Sequence, residues 1–129
     1  MKTLQRIIDD AIAKGIWKDG CPVHIKHMRL LDLPYYDFYD QIKTGKMMVL
    51  GLIEDRVKEV FDELFRIKFP IEKMKLINEY YGDDEKSMAD NNTSAFNCRM
   101  IMNTDRYSNH SMGTAIDINP VQNPYITKA

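Results

Sequence analysis

Ser108-Asn109-His110-Ser111-Met112-Gly113-Thr114-Ala115-Ile116-Asp117-Ile118-Asn119-Pro120 is the stretch from which the rest of the chain can be read. Its second half alternates. A strand over 115–119 puts Ile116 and Ile118 on one side and Asp117 on the other. The isoleucines then belong to a core, Asp117 to an open face, and Pro120 ends the strand. Gly113 gives the backbone freedom to fold back, so that His110 approaches Asp117. An imidazole and a carboxylate brought together in this way suit zinc, which accepts both nitrogen and oxygen ligands. The bare spacing His-x6-Asp carries little information, because it equally describes two unrelated surface residues.

Working outward, Asn91-Asn92-Thr93-Ser94-Ala95-Phe96-Asn97-Cys98-Arg99 precedes that stretch, and 94–101 has a strand-like pattern. Residues 82–92 are rich in Gly, Asp, Glu, Lys, Ser and Asn and read as an exposed, mobile loop. Residues 73–78 alternate well enough for a strand. Before them, Ile53, Val57, Val60, Phe61, Leu64 and Phe65 form the apolar stripe of a helix whose other faces carry Glu59 and Glu63, and Pro70 prevents its continuation. Met47-Met48-Val49-Leu50 reads as a core strand rather than a binding groove. Tyr35, Tyr36, Phe38 and Tyr39 form an aromatic cluster that suits either packing under a loop or stacking on a sugar ring. Residues 21–34 are extended or irregular. Leu4, Ile7, Ile8, Ala11 and Ile12 fall at helical spacing, with Gly15 and Gly20 bracketing a break after that helix. Helices and strands without a regular βαβ rhythm predict an α+β domain on a small antiparallel sheet with flanking helices. The length suits a single domain over 1–129, with an N-terminal helical segment at 1–20 and a core at 21–129.

Composition excludes some functions. Eighteen basic and nineteen acidic residues leave a net charge of −1, so there is no basic face of the kind nucleic acid requires. No apolar run approaches membrane-spanning length. Residues 1–20 carry charges throughout and lack the apolar stretch of a signal peptide. The two cysteines, Cys21 and Cys98, allow one disulfide or two buried free thiols, and neither sits in a CxxC pair.

Ser108-x-His110-x-x-Gly113-x-Ala115-x-Asp117 fills every fixed position of a known signature, Ser-x-His-x-x-Gly-x-Ala-x-Asp. The stretch thereby resembles the zinc D-alanyl-D-alanine carboxypeptidases, a family of VanY-like metallopeptidases that also includes L-alanyl-D-glutamate endopeptidases. The likeness continues through Asn119-Pro120 and Asn123-Pro124-Tyr125, and upstream through 91–99, Phe69-Pro70-Ile71 and Cys21-Pro22. It implies a Hedgehog/D,D-peptidase-like fold and a zinc-dependent peptidase acting on the peptide stems of peptidoglycan. By motif position, His110 and Asp117 would be two of three protein zinc ligands. Arg99 and Ser108 would bind substrate, Arg99 through a planar fork suited to a carboxylate or a polarised carbonyl. Such a substrate implies the cell envelope or extracellular space, although a cytoplasmic or phage-encoded protein also fits a chain without a leader.

The resemblance further implies a third ligand histidine and a general-base glutamate after the Asn-Pro-Tyr segment. No histidine follows His110, and no Asp or Glu follows Asp117, so both are expected beyond Ala129, together with the last strand of the sheet. His24 and His27, in the extended 21–34 stretch, have no spacing that would make them substitutes. The alternatives are a non-catalytic relative that binds wall peptide or metal without hydrolysis, and an enzyme whose missing segment comes from another chain.

Overall fold

The computed structural model describes residues 2–101 and 103–124. Its centre is an antiparallel hairpin of β1 (Met28–Tyr36) and β2 (Ile42–Leu50), paired in register from Met28 opposite Leu50 to Tyr36 opposite Ile42. Both faces of this hairpin are buried, which explains the run of apolar residues in β2. Leu31, Leu33, Tyr35, Met47 and Val49 point into one core, shared with Val57 and Phe61 of α2 (Glu54–Arg66). Met28 and Met48 point into the other, shared with Ile8 and Ala11 of α1 (Lys2–Ala13) and with Trp17, Leu76 and Phe96. The protein is therefore α+β, with a two-stranded sheet between helices.

Helical periodicity located α1 and α2 correctly, but not every residue of the two stripes. Ile12 and Val60 are about half exposed, because what each helix packs on, β1 for α2 and the 3₁₀ turn at Ile77–Tyr80 for α1, does not cover the full width of its stripe. Glu59 and Glu63 are solvated as expected, with Glu63 paired to Arg66. The 21–34 stretch is only partly irregular: a 3₁₀ turn at Ile25–His27 leads directly into β1.

Four expectations for the second half of the chain need correction. Residues 73–78 form no strand, 94–101 and 115–119 make only isolated bridges, and 82–92 is not an exposed loop. A short helix α3 (Asp84–Ala89) occupies that loop, capped by the Asp83 side chain, which accepts from the Lys86 N–H. Ser87, Asn91 and Asn92 in this region are buried. Asparagine amides do much of the pairing that a ladder would have done. Asn92 Oδ1 accepts from Lys75 N at 2.8 Å while its Nδ2 donates to Lys75 O at 2.9 Å. Asn119 Oδ1 accepts from Glu72 N at 3.1 Å and its Nδ2 donates to Pro70 O at 2.8 Å. An amide side chain presents the same donor and acceptor as a peptide group, so it satisfies buried backbone without continuing a strand.

Along the β2 edge, Met48 O accepts from Phe96 N at 3.0 Å and Leu50 N donates to Gly113 O at 2.9 Å. These two bonds lay the 95–97 and 110–113 segments beside each other. Cys21 and Cys98 form a disulfide with a Cα–Cα distance of 6.2 Å, which resolves the open choice between a bridge and free thiols and ties the start of the core to the residue before Arg99.

Candidate metal centre

The segments laid against β2 supply the site. A 3₁₀ turn at Asn109–Met112 is capped at both ends. Ser108 Oγ accepts from His110 N at 3.2 Å, and Gly113 closes the turn in the left-handed region at φ +72°. Ile116 and Ile118 pack against the α2-side core, and Asp117 points away from them, so the sidedness expected of 115–119 holds without a full strand. A pair of bonds between Ser94 and Asp117 backbones, 2.9 and 3.1 Å, is enough to fix that orientation.

His110 and Asp117 meet as the sequence suggested, with Nε2 3.3 Å from Oδ2. The other ring nitrogen, Nδ1, lies 2.7 Å from Ala95 O. A carbonyl oxygen only accepts, so Nδ1 carries the hydrogen, and the neutral ring turns a bare Nε2 lone pair toward the Asp117 carboxylate. Two acceptors face each other until a proton or a cation sits between them. Without a metal, the electrostatics of the pair favour a proton there. Burial works to lower the His110 pKa, but the Asp117 carboxylate and the Ala95 carbonyl outweigh it and raise the value above 6.5. The imidazolium in turn holds Asp117 below 3.8, against the effect of burial.

The linkage signs follow from these directions. His110 contributes stability that is complete below its unfolded value of 6.5 and is lost as pH rises through its raised folded pKa. Asp117 contributes stability that is present above 3.8 and is lost as pH falls through its lowered folded pKa. The metal-free chain is therefore expected to gain most from the pair between about pH 4 and 6.5 and to lose the His110 share in mild alkali. Melting curves from pH 5 to 9 in the presence of chelator check this, with Asp117→Asn as the control. If the two proteins show the same pH dependence, the pair is not coupled.

A cleft of about 560 Å³ collects all four residues singled out in the sequence: Arg99, Ser108, His110 and Asp117. The Arg99 backbone is clamped by its neighbours. Its N–H donates to Ser111 Oγ at 2.9 Å, and its carbonyl accepts from Ser108 N at 2.9 Å and from the Ser111 hydroxyl at 3.0 Å. The Arg99 side chain is partly buried, with Nε 3.4 Å from Asp84 Oδ1. That contact is a charge pairing outside hydrogen-bond alignment, and among the described residues Nε has no other partner. Ser108 sits mainly as the turn cap, at 7% exposure.

Sequence reasoning missed three contributors. Asp84 was assigned to a loop, but it lies at the start of α3 on the cleft wall. Ser111, fully buried, fills an unfixed position of the signature. Ala95 acts through its carbonyl, which no side-chain pattern reveals. His24 and His27 lie outside the cleft lining, with His24 capping its own turn by accepting from Lys26 N. Among the described residues, no third His, Cys, Asp or Glu joins His110 and Asp117 in a metal-holding group. The expected Asn-Pro-Tyr continuation reaches Tyr125, which lies outside the described residues.

A family model described as D-alanyl-D-alanine carboxypeptidase matches residues 102–129. The match takes in Ser108, His110 and Asp117 and leaves out Arg99. The likeness is confined to these 28 of the 129 residues. No curated protein and no solved structure matches the chain.

Proposed function

We propose that this chain carries the metal-binding and substrate-binding part of a zinc-dependent peptidase acting on peptidoglycan stem peptides, of the D,D-carboxypeptidase or L-Ala-D-Glu endopeptidase type, on a Hedgehog/D,D-peptidase-like fold. The observation that carries this reading is the His110–Asp117 pair. A lone pair and a carboxylate oxygen 3.3 Å apart, with the histidine fixed from behind by Ala95 O, form an arrangement that a cation completes. The donor set fits zinc, and His110 Nε2 and Asp117 would hold it. Bound zinc supplies Lewis acidity toward a carbonyl and toward water. The third ligand and the general base are assigned in this reading to the histidine and glutamate that the family carries after its Asn-Pro-Tyr segment.

The chain's own residues position the substrate. Arg99 offers a fork of donors to a peptide carboxylate or to the oxygen of the scissile carbonyl as charge develops there. Asp84 restrains that fork, and Ser111 fixes its backbone. Met88, Ile101 and Ala115 give the cleft apolar walls. The Cys21–Cys98 bridge supports a location in an oxidising compartment, where the cell envelope places such a substrate.

Calorimetric titration with zinc tests the reading. One site is expected, weakened at least about tenfold in both His110→Ala and Asp117→Ala by the lost ligand. Undiminished affinity in His110→Ala would end the assignment. In zinc-loaded protein that cleaves muropeptides, Arg99→Ala is expected to lower kcat/KM by about two orders of magnitude, and Arg99→Lys to rescue poorly. Muropeptide binding without turnover in every zinc-loaded form would instead support the non-catalytic alternative.

A further inference from the structure

The tip of the β1–β2 hairpin is stiff, aromatic and unused by the site above. Asp37 Oδ1 accepts from Tyr39 N at 2.8 Å and from Gln41 N at 2.9 Å, and Asp37 N donates to Gln41 O at 2.8 Å. This turn holds two aromatic rings out to water: Phe38 is 41% exposed and Tyr39 85%. Held together on a rigid tip, the two rings present an apolar surface open to a ligand. They border a cavity of about 340 Å³ whose wall also includes Asp37, Lys43, Glu72 and Lys75.

The polar groups of this cavity narrow the ligand. The Asp37 side chain is only 3% exposed, yet among the described residues its Oδ2 has no well-aligned hydrogen-bond donor. Lys43 Nζ lies 3.1 Å away as a charge partner, outside hydrogen-bond alignment. A buried acceptor left open is costly unless a ligand supplies the donor. The other charges are largely compensated within the protein. Lys73 pairs with Asp90, and Glu72 and Lys75 contribute one charge of each sign to the wall. With little net charge to offer, the cavity does not call for an anion. Aromatic faces beside an open acceptor and lysine donors match a neutral polyol with one apolar ring face.

We propose that this cavity is a carbohydrate subsite, holding a pyranose ring of a glycan strand against Phe38 and Tyr39 while a sugar hydroxyl donates to Asp37 Oδ2. Its choice of glycan rests on the peptidase reading, since the stem peptides of peptidoglycan hang from such a strand. The subsite is also mechanically tied to the candidate metal centre. Glu72 N donates at 3.1 Å to Asn119 Oδ1, two residues from Asp117, which links one wall of the cavity to the segment that carries the candidate ligand.

The test is direct binding of tetra-N-acetylchitotetraose, a glycan without peptide, to the 129-residue chain, followed by two-dimensional NMR. Saturable shifts are expected around 35–43 and 72–75, with affinity at least about tenfold lower in Tyr39→Ala, as loss of a stacking face implies. Tyr39 touches no core, so that variant folds. Asp37→Asn keeps an amide oxygen for the turn but turns a donor toward the sugar, and it is expected to weaken binding as well. Asp117→Ala is expected to bind the glycan normally. Absence of saturable binding, equal binding by Tyr39→Ala, or displacement of the sugar by inorganic phosphate at the same residues overturns the proposal. Because no metal or peptide is involved, a failed glycan titration leaves the zinc titration standing, and a failed zinc titration leaves this one interpretable.

Discussion

A chain in which both Cys21 and Cys98 are serine is expected to unfold with about 4 kcal/mol less free energy than the bridged chain. The disulfide joins residues 77 apart in sequence, and closing a loop of that length removes much of the freedom of the unfolded state. The fold has few other long-range constraints of that strength, because its only sheet among the described residues has two strands and much of the remaining pairing is made by single side chains. The loss also has a local side. Cys98 immediately precedes Arg99, so release of the bridge frees one end of the segment that presents the guanidinium to the cleft. Denaturant titrations of the wild type, with and without reductant, and of the double-serine variant measure the effect. Coincident midpoints in all three would mean that the bridge adds nothing to stability.

The second large effect is expected at Gly113, where Gly113→Ala should cost about 3 kcal/mol, combining a strained left-handed backbone with overpacking. The residue has φ +72°, and an added Cβ would lie 2.7 Å from Leu50 N and 2.6 Å from Met28 Sδ. Met28 is fully buried and Leu50 N is already bonded to Gly113 O, so neither yields easily. The turn carrying His110 would have to lift away from β2, and zinc affinity should fall together with stability. Gly15→Ala isolates the two contributions. That glycine has nearly the same φ, +73°, but an added Cβ meets nothing within 4 Å, so only the backbone cost of about 1 kcal/mol is expected. If the two variants were equally destabilised, the close approach of Gly113 to β2 would carry no energetic weight.

The sequence by itself determined the parts of this protein that depend on near neighbours. The stripes of α1 and α2 and the apolar run of β2 are visible because helix and strand repeat within a few residues. The sidedness of Ile116, Asp117 and Ile118, the turn at Gly113 and the meeting of His110 with Asp117 are legible in a dozen consecutive residues, although bonds from Ser94, Ala95 and Leu50 hold them in place. Only the tertiary structure decided what depends on distant partners. Residues 73–78 look like a strand, but the Asn92 amide, 17 residues away, pairs with the Lys75 backbone where a strand would present its own, and Asn119 does the same for Glu72 and Pro70 just before the segment. The polar 82–92 stretch looks exposed, but a capped helix and the burial of Ser87, Asn91 and Asn92 place it against the core and bring Asp84 to Arg99. The Ala95 carbonyl that fixes the histidine tautomer is invisible in a side-chain pattern, because every residue has a carbonyl and only the packing of 95–97 on the β2 edge aims this one at His110.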